Sequence, residues 1–413
     1  MQNFEFLRFY TDTPKNTHAP GLGVMLKLMA RLGDPQKSLA CVHIAGTNGK
    51  GSCAAAMAAM LRAAGYKTGL FTSPDLTGLW ERISIDGVYI TLPDLQTVTD
   101  EVRAACEGFP EPSFFEKITA AAFLYFARAG CERVVLETGL GGRLDATNII
   151  ENPLCSVIMP IGLEHTAVLG DTLAAIAGEK AGIIKPGCSV VSAPQHPEAM
   201  DVIRRVCRAK DAALHEVDIT NLAPISHSSA GQVISYKGLE NIALSLLGAH
   251  QAENACAAIE TAAVLGLSES AVRAGLEAVR WPCRFEVFPQ NPPIVLDGAH
   301  NAHGAAALAA ALREYFPAKR FTMLAGVMAD KDFRQMLRVM EPLAARFICL
   351  TPDDSRALPA AALAAEISTV PALTAGSPTE ALALAAGFDE PICAFGSLYY
   401  IGTLRKHITG EDS

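Results

Sequence analysis

The stretch HIAGTNGKGS, His43 to Ser52, constrains this chain more than any other. It follows the apolar run LACVHIA, which reads as a strand from Leu39 to Ala45. It precedes an alanine-rich segment that reads as a helix from about Ser52 to Ala64, ended by Gly65. Glycines in such a strand-to-helix turn let backbone N–H groups face an anion at the helix N-terminus, where the dipole also favours negative charge. The common phosphate loop reads G-x-x-x-x-G-K-[ST]. That spacing would require glycine at Ile44, so Gly46-Thr47-Asn48-Gly49-Lys50-Gly51-Ser52 is a shorter form. Lys50 is suited to neutralise β- and γ-phosphates, and the Ser52 hydroxyl to ligate Mg²⁺. The expected ligand is ATP; kinase, motor and ligase chemistry all remain open at this point.

Apolar runs alternate with helical patterns along the 413 residues, which predicts an α/β fold with mostly parallel strands. KTGLFTS, RVVLETG and LCSVIMPIG read as strands, and RISIDGVYI as a hairpin turning at Asp86-Gly87. SFFEKITAAAFLYFARAG reads as a helix with Gly130 past its end. Asp171 or Thr172 is placed to cap a helix running to about Ala181. From Leu214 to Leu247 the pattern is patchier, with short strands such as GQVISYKG, and helices resume near His250 and Ser268. The proline-rich Arg280–Val295 breaks the rhythm and marks a domain boundary. Beyond it, PIVLDGAHN, RFTMLAGV, RFICLTP and PICAFGS are strands with helices between them. The expected domains are residues 1–282, a P-loop ATPase unit with a mostly parallel sheet, and residues 283–413, a smaller Rossmann-like unit.

Composition narrows the class. Charged residues make up 19% and apolar ones 50%, so a disordered chain is not expected. No apolar run reaches the roughly 18 residues of a membrane span. The N-terminal MQNFEFLRFY lacks a basic region followed by an apolar one, so no secretory leader is expected. The 11 cysteines form no C-x-x-C pair and lie in apolar segments, as buried thiols in a reducing cytoplasm would. The net charge of −9 argues against nucleic acid as a partner and requires local basic groups to attract anionic substrates.

RVVLE delivers Glu137 to the C-terminal end of a strand, where open α/β sheets place their ligands and where a carboxylate can hold a metal beside phosphates. With it, the motifs GTNGKGS, ETGLGGRLDATN, GLEHTAVLG, EKAGIIKPG and DGAHN occur in an order that resembles the folylpolyglutamate synthase/dihydrofolate synthase group of the Mur ligase superfamily. The resemblance spans nearly the whole chain. It implies a Mur ligase-like ATPase domain and an ATP- and Mg²⁺-dependent amide ligase of folate and one-carbon metabolism. A folate carboxylate attacks the γ-phosphorus, and the amine of L-glutamate then displaces phosphate from the acyl phosphate.

The resemblance also implies roles for residues. Ser52 and Glu137 would hold one Mg²⁺. His165 would ligate a second; Glu164 stands before it where the family usually has Asp. Lys180 matches a lysine carried as an N-carboxylated metal ligand, and Lys50, His165 and Lys180 form the expected catalytic set. Asn254 would contact the nucleotide near adenine, Arg284 the phosphates, Asp297 the ribose and His300 the phosphates. Cys283 replaces the glycine usual before that arginine. Lys331, Asp332 and Ser397 resemble loops on the glutamate side. In FTSPDLTGLWERISIDG, Ser73, Pro74, Asp75 and Arg82 match the folate loop, with Asp75 where the family usually has His. Arg82 is a candidate carboxylate clamp. Phe71, Trp80, Phe114 and Phe115 offer flat apolar surface for a pterin or benzoyl ring, or serve as core.

The implied substrates are ATP, L-glutamate and tetrahydrofolate or dihydropteroate, handled by a cytoplasmic monomer. Two other readings use the same loop: a Mur-type ligase acting on a UDP-sugar peptide, against which Lys50-Gly51-Ser52 argues, and a nucleotide switch without ligase turnover.

Overall fold

Apolar runs flanked by glycine and polar residues become strands because both faces of a parallel sheet are covered and only the ends meet solvent. The computed structural model describes residues 5–13, 21–108 and 111–410; the first four residues of the stretch read for a leader lie outside them. The chain groups into two units. The first holds residues up to Pro74, Leu79–Leu222 and Glu253–Ala278; the second holds Asp75–Gly78, Ala223–Ala252 and the chain from Val279 onward.

Among the described residues of the first unit, β1 (Cys41–Ala45), β2 (Thr68–Phe71), β3 (Ile83–Ile85), β4 (Val88–Tyr89), β5 (Arg133–Glu137), β6 (Cys155–Ile158), β7 (Ser189–Ser192) and β8 (Ala213–Glu216) form one sheet. Its order is β4-β3-β2-β5-β1-β6-β7-β8. From β2 to β8 all neighbours are parallel; β3 and β4 add an antiparallel hairpin. Asp86 (φ 52°) and Gly87 (φ 84°) turn it, as a two-residue hairpin requires. The chain leaves β1 toward β2 on one side and leaves β5 toward β6 on the other. The strand order therefore reverses between β1 and β5, and a crevice opens at their carboxyl ends.

The helix Lys50–Ala63 starts two positions before the expected Ser52, because Gly49 (φ 80°) makes the turn and Lys50 is already helical. Ser113 and Glu116 cap the helix Phe114–Arg128 reciprocally. Its Ile118, Phe123 and Phe126 are fully buried in the same core as Phe71, Val134 and Leu136. Each such side chain contributes about 1.5–3 kcal/mol on burial, so Phe126→Ala alone costs about 3–5 kcal/mol. Thr172, not Asp171, caps the helix Leu173–Lys180.

In the second unit the patchy region becomes a three-stranded sheet of β9 (Leu222–Ser228), β10 (Gly231–Tyr236) and β11 (Leu239–Leu244). A further sheet contains β12 (Glu286–Phe288), β13 (Ile294–Leu296), β14 (Phe321–Ala325), β15 (Ala344–Leu350), β16 (Ala372–Ala375) and β17 (Ile392–Phe395), in the order β12-β13-β17-β14-β15-β16. Only β12 is antiparallel to its neighbour. Strand β16 was not expected from the sequence; at the sheet edge it buries too little to show a pattern. Leu308, Leu312, Met336 and Met340 fill one core and Ala381, Ala385, Ile401 and Leu404 another. All 11 cysteines are free thiols, all buried except the half-buried Cys106. Among the described residues no helix is long and apolar enough to cross a membrane.

Candidate active site

The glycine loop leaves β1 and is held in place by the segment that leaves β6. Thr47 and Asn48 donate their backbone N–H groups to the carbonyl of Pro160, at 2.9 and 3.3 Å. The Thr47 hydroxyl bridges Gly162, donating to its carbonyl at 3.1 Å and accepting from its N–H at 3.0 Å. The Lys50, Gly51 and Ser52 N–H groups form the first helical turn, which has no intrahelical acceptors for them. Asn254, on the helix Ala249–Val264, lies over the loop: a β-carbon on Gly49 would stand 2.2 Å from its Oδ1. The residue assigned to the nucleotide by resemblance thus touches the loop itself.

Glu137 ends β5 beside Ile44 and is almost fully buried. Its Oε1 lies 3.9 Å from Lys50 Nζ, and its Oε2 accepts from the Ser73 N–H at 3.1 Å. Lys50 also donates to the Thr47 carbonyl at 3.2 Å. Lys180 is buried, and its Nζ donates to the Gly46 carbonyl at 2.7 Å. Burial, reinforced by the Lys50 charge, lowers the Lys180 pKa to about 7, although Glu164 and Asp145 pull the other way. His165 stands exposed at the start of the short helix Thr166–Leu169, with a left-handed backbone (φ 52°).

The glycine-rich turn after Glu137 is anchored from two directions. Arg143 pairs with Glu179 at 2.8 Å, and its N–H donates to the Glu179 carbonyl at 2.7 Å. Asn148 donates from Nδ2 to the carbonyls of Arg143 and Gly182. Asp145 caps the 3₁₀ turn Ala146–Ile149. Two residues that sequence reasoning passed over hold neighbouring segments, Gln195 the one that leaves β6 and His43 the turn after Glu137. Gln195 donates to the Met159 carbonyl at 3.1 Å and the Ile158 carbonyl at 3.4 Å, and accepts from Ile161 N–H at 2.9 Å. Fully buried His43 contacts Thr147 at 2.8 Å. A histidine inside an otherwise apolar strand was a usable signal; for Gln195 there was none.

On the folate-loop side, Ser73-Pro74 is a cis peptide. Arg82 is buried, with its guanidinium 5.1 Å from the Phe114 ring centre. Phe71 and Phe115 pack with ring centres 5.8 Å apart. Phe71 is wholly core, whereas Phe114, Phe115 and Trp80 are only partly buried. Asp75 belongs to the second unit, apart from Ser73, Pro74 and Arg82 in the first.

In the second unit, both carboxylate oxygens of Asp297 accept backbone N–H groups, from Phe285 at 2.7 Å and Ala299 at 2.8 Å. The Arg284 side chain lies against Gly298, and His300 Nδ1 contacts the Gly298 carbonyl at 2.8 Å. Arg284, Asp297 and His300 therefore form one cluster at the end of β13. Cys283 has φ 57° and Phe285 φ 49°. A left-handed backbone at Cys283 is the conformation glycine adopts without strain, which gives the usual glycine there a physical reason.

Residues 44–262 match the Mur ligase middle domain and residues 283–392 the Mur ligase glutamate ligase domain. The dihydrofolate synthase/folylpolyglutamate synthase of Bacillus subtilis (strain 168) is 38% identical over 411 residues, covering 94% of this chain and 95% of that protein. The Mycobacterium tuberculosis folylpolyglutamate synthase complexed with ADP and AMPPCP superposes with a TM-score of 0.88 at 34% identity, covering 95% of this chain and 96% of that one. Escherichia coli FolC in complex with DHPP and ADP gives a TM-score of 0.88 at 28% identity, covering 99% and 98%.

Proposed function

This chain belongs to the folylpolyglutamate synthase/dihydrofolate synthase family of Mur ligases, and from that membership we propose how its own residues carry out the reaction. The protein is an ATP-dependent ligase that joins L-glutamate to folates. A carboxylate is a poor acyl donor, because its charge is delocalised and its leaving group is oxide. Attack of a carboxylate oxygen on the γ-phosphorus breaks the bond to ADP and forms an acyl phosphate. The glutamate amine then attacks the acyl carbon, phosphate leaves, and the amine proton is lost. The protein's share is to gather negative charge, align the partners and exclude water.

The loop Gly46–Ser52 receives the triphosphate, with Lys50 as its fixed cation and Asn254 closing over Gly49. Mg²⁺ would be held by Ser52 and Glu137 together with phosphate oxygens, and would offset charge on the β- and γ-phosphates. The donor set fits. It is hard oxygen from one hydroxyl and one carboxylate, and no cluster of three or more His, Cys, Asp or Glu occurs among the described residues. Mg²⁺ is held in that way, through few carboxylates plus substrate phosphates. Lys180, as a carbamate, and His165 complete the metal-side set. Within the first unit, Ser73, Pro74 and Arg82 receive the folate acid; Asp75 for the folate, and Arg284, Asp297 and His300 for the nucleotide, are the roles that the family resemblance gives to residues of the second unit. The substrates include both dihydropteroate and tetrahydrofolate.

One observation carries this assignment: a single buried carboxylate, Glu137, lies 3.9 Å from the loop lysine and accepts the backbone N–H of the folate-loop residue Ser73. One carboxylate thus pairs with the loop lysine by charge and with Ser73 by a hydrogen bond, which supports reading the two segments as parts of one site. The test is product chemistry. Protein, ATP, Mg²⁺ and glutamate are incubated with dihydropteroate or tetrahydrofolate separately and read by mass. Gain of one glutamyl unit on each acceptor with matching ADP is expected. Gain on only one removes the dual specificity, and ATP loss without any glutamylated pterin removes the ligase assignment.

A further inference from the structure

His43 is the one polar side chain in β1, between Val42 and Ile44, and it has no solvent exposure. An apolar residue would fill that position without a hydrogen-bond requirement, so the imidazole needs a reason. Its contacts supply a directed chain. His43 Nε2 lies 2.8 Å from the Thr147 hydroxyl. That hydroxyl donates to Asp145 Oδ1 at 2.5 Å. Asp145 Oδ1 also accepts the Thr147 N–H at 3.0 Å, and Oδ2 accepts the N–H groups of Gly139 and Leu140, both at 2.9 Å.

Proton counting orients the chain. Burial pushes the Asp145 pKa up, but three N–H groups and the Thr147 hydroxyl all donate to its oxygens, the arrangement of a carboxylate accepting four hydrogen bonds. The single Thr147 hydroxyl proton is then spent on Asp145. The hydroxyl oxygen must accept from His43, which fixes the Nε2–H tautomer. Nδ1 is left as a buried acceptor, and it has no hydrogen-bond partner among the described residues. The ring stays neutral, because burial and then the Lys185 charge lower its pKa to about 3.

The far end of the chain is the turn that follows Glu137. A β-carbon on Gly139 would stand 2.5 Å from Phe115 Cζ, so this backbone lies directly on the aromatic ring. Phe115 packs on Phe71, two residues before Ser73, whose N–H returns to Glu137. The Gly139–Leu140 backbone thus forms one wall of the proposed acceptor side. The phosphate loop has contacts of its own, to Pro160, Gly162 and Lys180.

We propose that His43 is a positioning residue which, through Thr147 and Asp145, fixes the Gly139–Leu140 wall against which the folate acid is aligned. The inference rests on the ligase reading above. It separates two functions of the crevice: the relay governs the acceptor and leaves the nucleotide alone.

The experiment compares wild type, Thr147→Val, which removes the hydroxyl at similar volume, and Thr147→Ser, which restores it. Readouts are KM and kcat for the pterin acceptor, ADP affinity by calorimetry, and thermal unfolding. Thr147→Val is expected to lower kcat/KM for the acceptor about tenfold or more while ADP affinity stays within about twofold, with Thr147→Ser recovering most of the loss. Unchanged acceptor kinetics in folded Thr147→Val overturn the proposal, whatever the melting temperature does. So does an equal loss of ADP affinity, or a serine variant no better than valine. Nitrogen NMR of wild type with labelled histidine needs no variant to fold: an Nε2–H tautomer at His43 is expected, and an Nδ1–H tautomer overturns the relay. Failure of the ligase reading looks different, as wild type itself would then form no glutamylated product.

Discussion

Lys180 Nζ donates to the carbonyl oxygen of Gly46 at 2.7 Å, joining the end of the helix Leu173–Lys180 to the first glycine of the phosphate loop. A buried lysine with a pKa of about 7 is largely unprotonated just above neutrality. The unprotonated amine is the form that adds to carbon dioxide, losing a proton to give an anionic carbamate with oxygen donors suited to a hard cation. The contact with Gly46 sets this amine beside the glycine loop.

Lys180→Ala is expected to lose turnover, and short carboxylic acids such as acetate are expected to restore part of it by filling the vacated space with an oxygen anion. Wild-type activity should rise with added bicarbonate above pH 7. An alanine variant with normal turnover, or one indifferent to carboxylates and inactive on every acceptor, would count against the carbamate.

The same lysine gives stability a pH slope. Its folded pKa, about 7, lies below the unfolded value near 10.5, so between those values the unfolded chain binds more protons. The cost of the buried charge is complete below pH 7 and fades as pH rises toward 10.5. In carbon-dioxide-free buffer, wild type should gain stability relative to Lys180→Met across that window, measured by urea unfolding. A flat or falling difference would contradict it.

Gly49 has φ 80°, and Asn254 fills the space a side chain would need. Gly49→Ala should therefore cost more than about 1 kcal/mol of stability from backbone strain and weaken ADP binding by displacing Asn254. Lys50→Ala should abolish ADP formation and leave the fold intact. Calorimetric titration with ADP and a thermal melt separate the two effects; ADP affinity unchanged in Gly49→Ala would mean that Asn254 does not shape the site.

Gln195 makes three hydrogen bonds to the segment that anchors Thr47; truncation takes this partner from the Ile161 N–H and the Met159 carbonyl, at about 1–3 kcal/mol each if they stay dry, whereas the Ile158 carbonyl keeps the Ala193 N–H. Gln195→Ala is expected to raise KM for ATP at least about fivefold with a smaller change in acceptor KM. Steady-state kinetics with each substrate varied in turn would reveal the opposite pattern if the anchor did not govern the nucleotide loop.

Much of the site was legible because its instructions are short. Gly49 makes its own turn, Thr172 caps its own helix, and Asp86-Gly87 closes its own hairpin, each within a few residues. Glu137 was placed at a strand end by the apolar run before it. The residues read only by resemblance, Lys180 and Asn254, carry no local mark: one is a lysine and the other an asparagine on helices. His43, Gln195 and the grouping of Asp75 with the second unit depend on partners far along the chain.

By itself, the sequence determined most of the strands and helices, though not edge strand β16, and with them where the glycine loop turns and which charged groups stand at its exits, because backbone freedom, capping and side-chain periodicity act between near neighbours. The meeting of Lys180 with Gly46, of Glu137 with Ser73 and of His43 with Thr147 was decided only in the folded sheet. Inserting β5 between β2 and β1 puts strand ends from distant parts of the chain at one crevice, and that order is set by burying whole strand faces together, which no short window of residues contains.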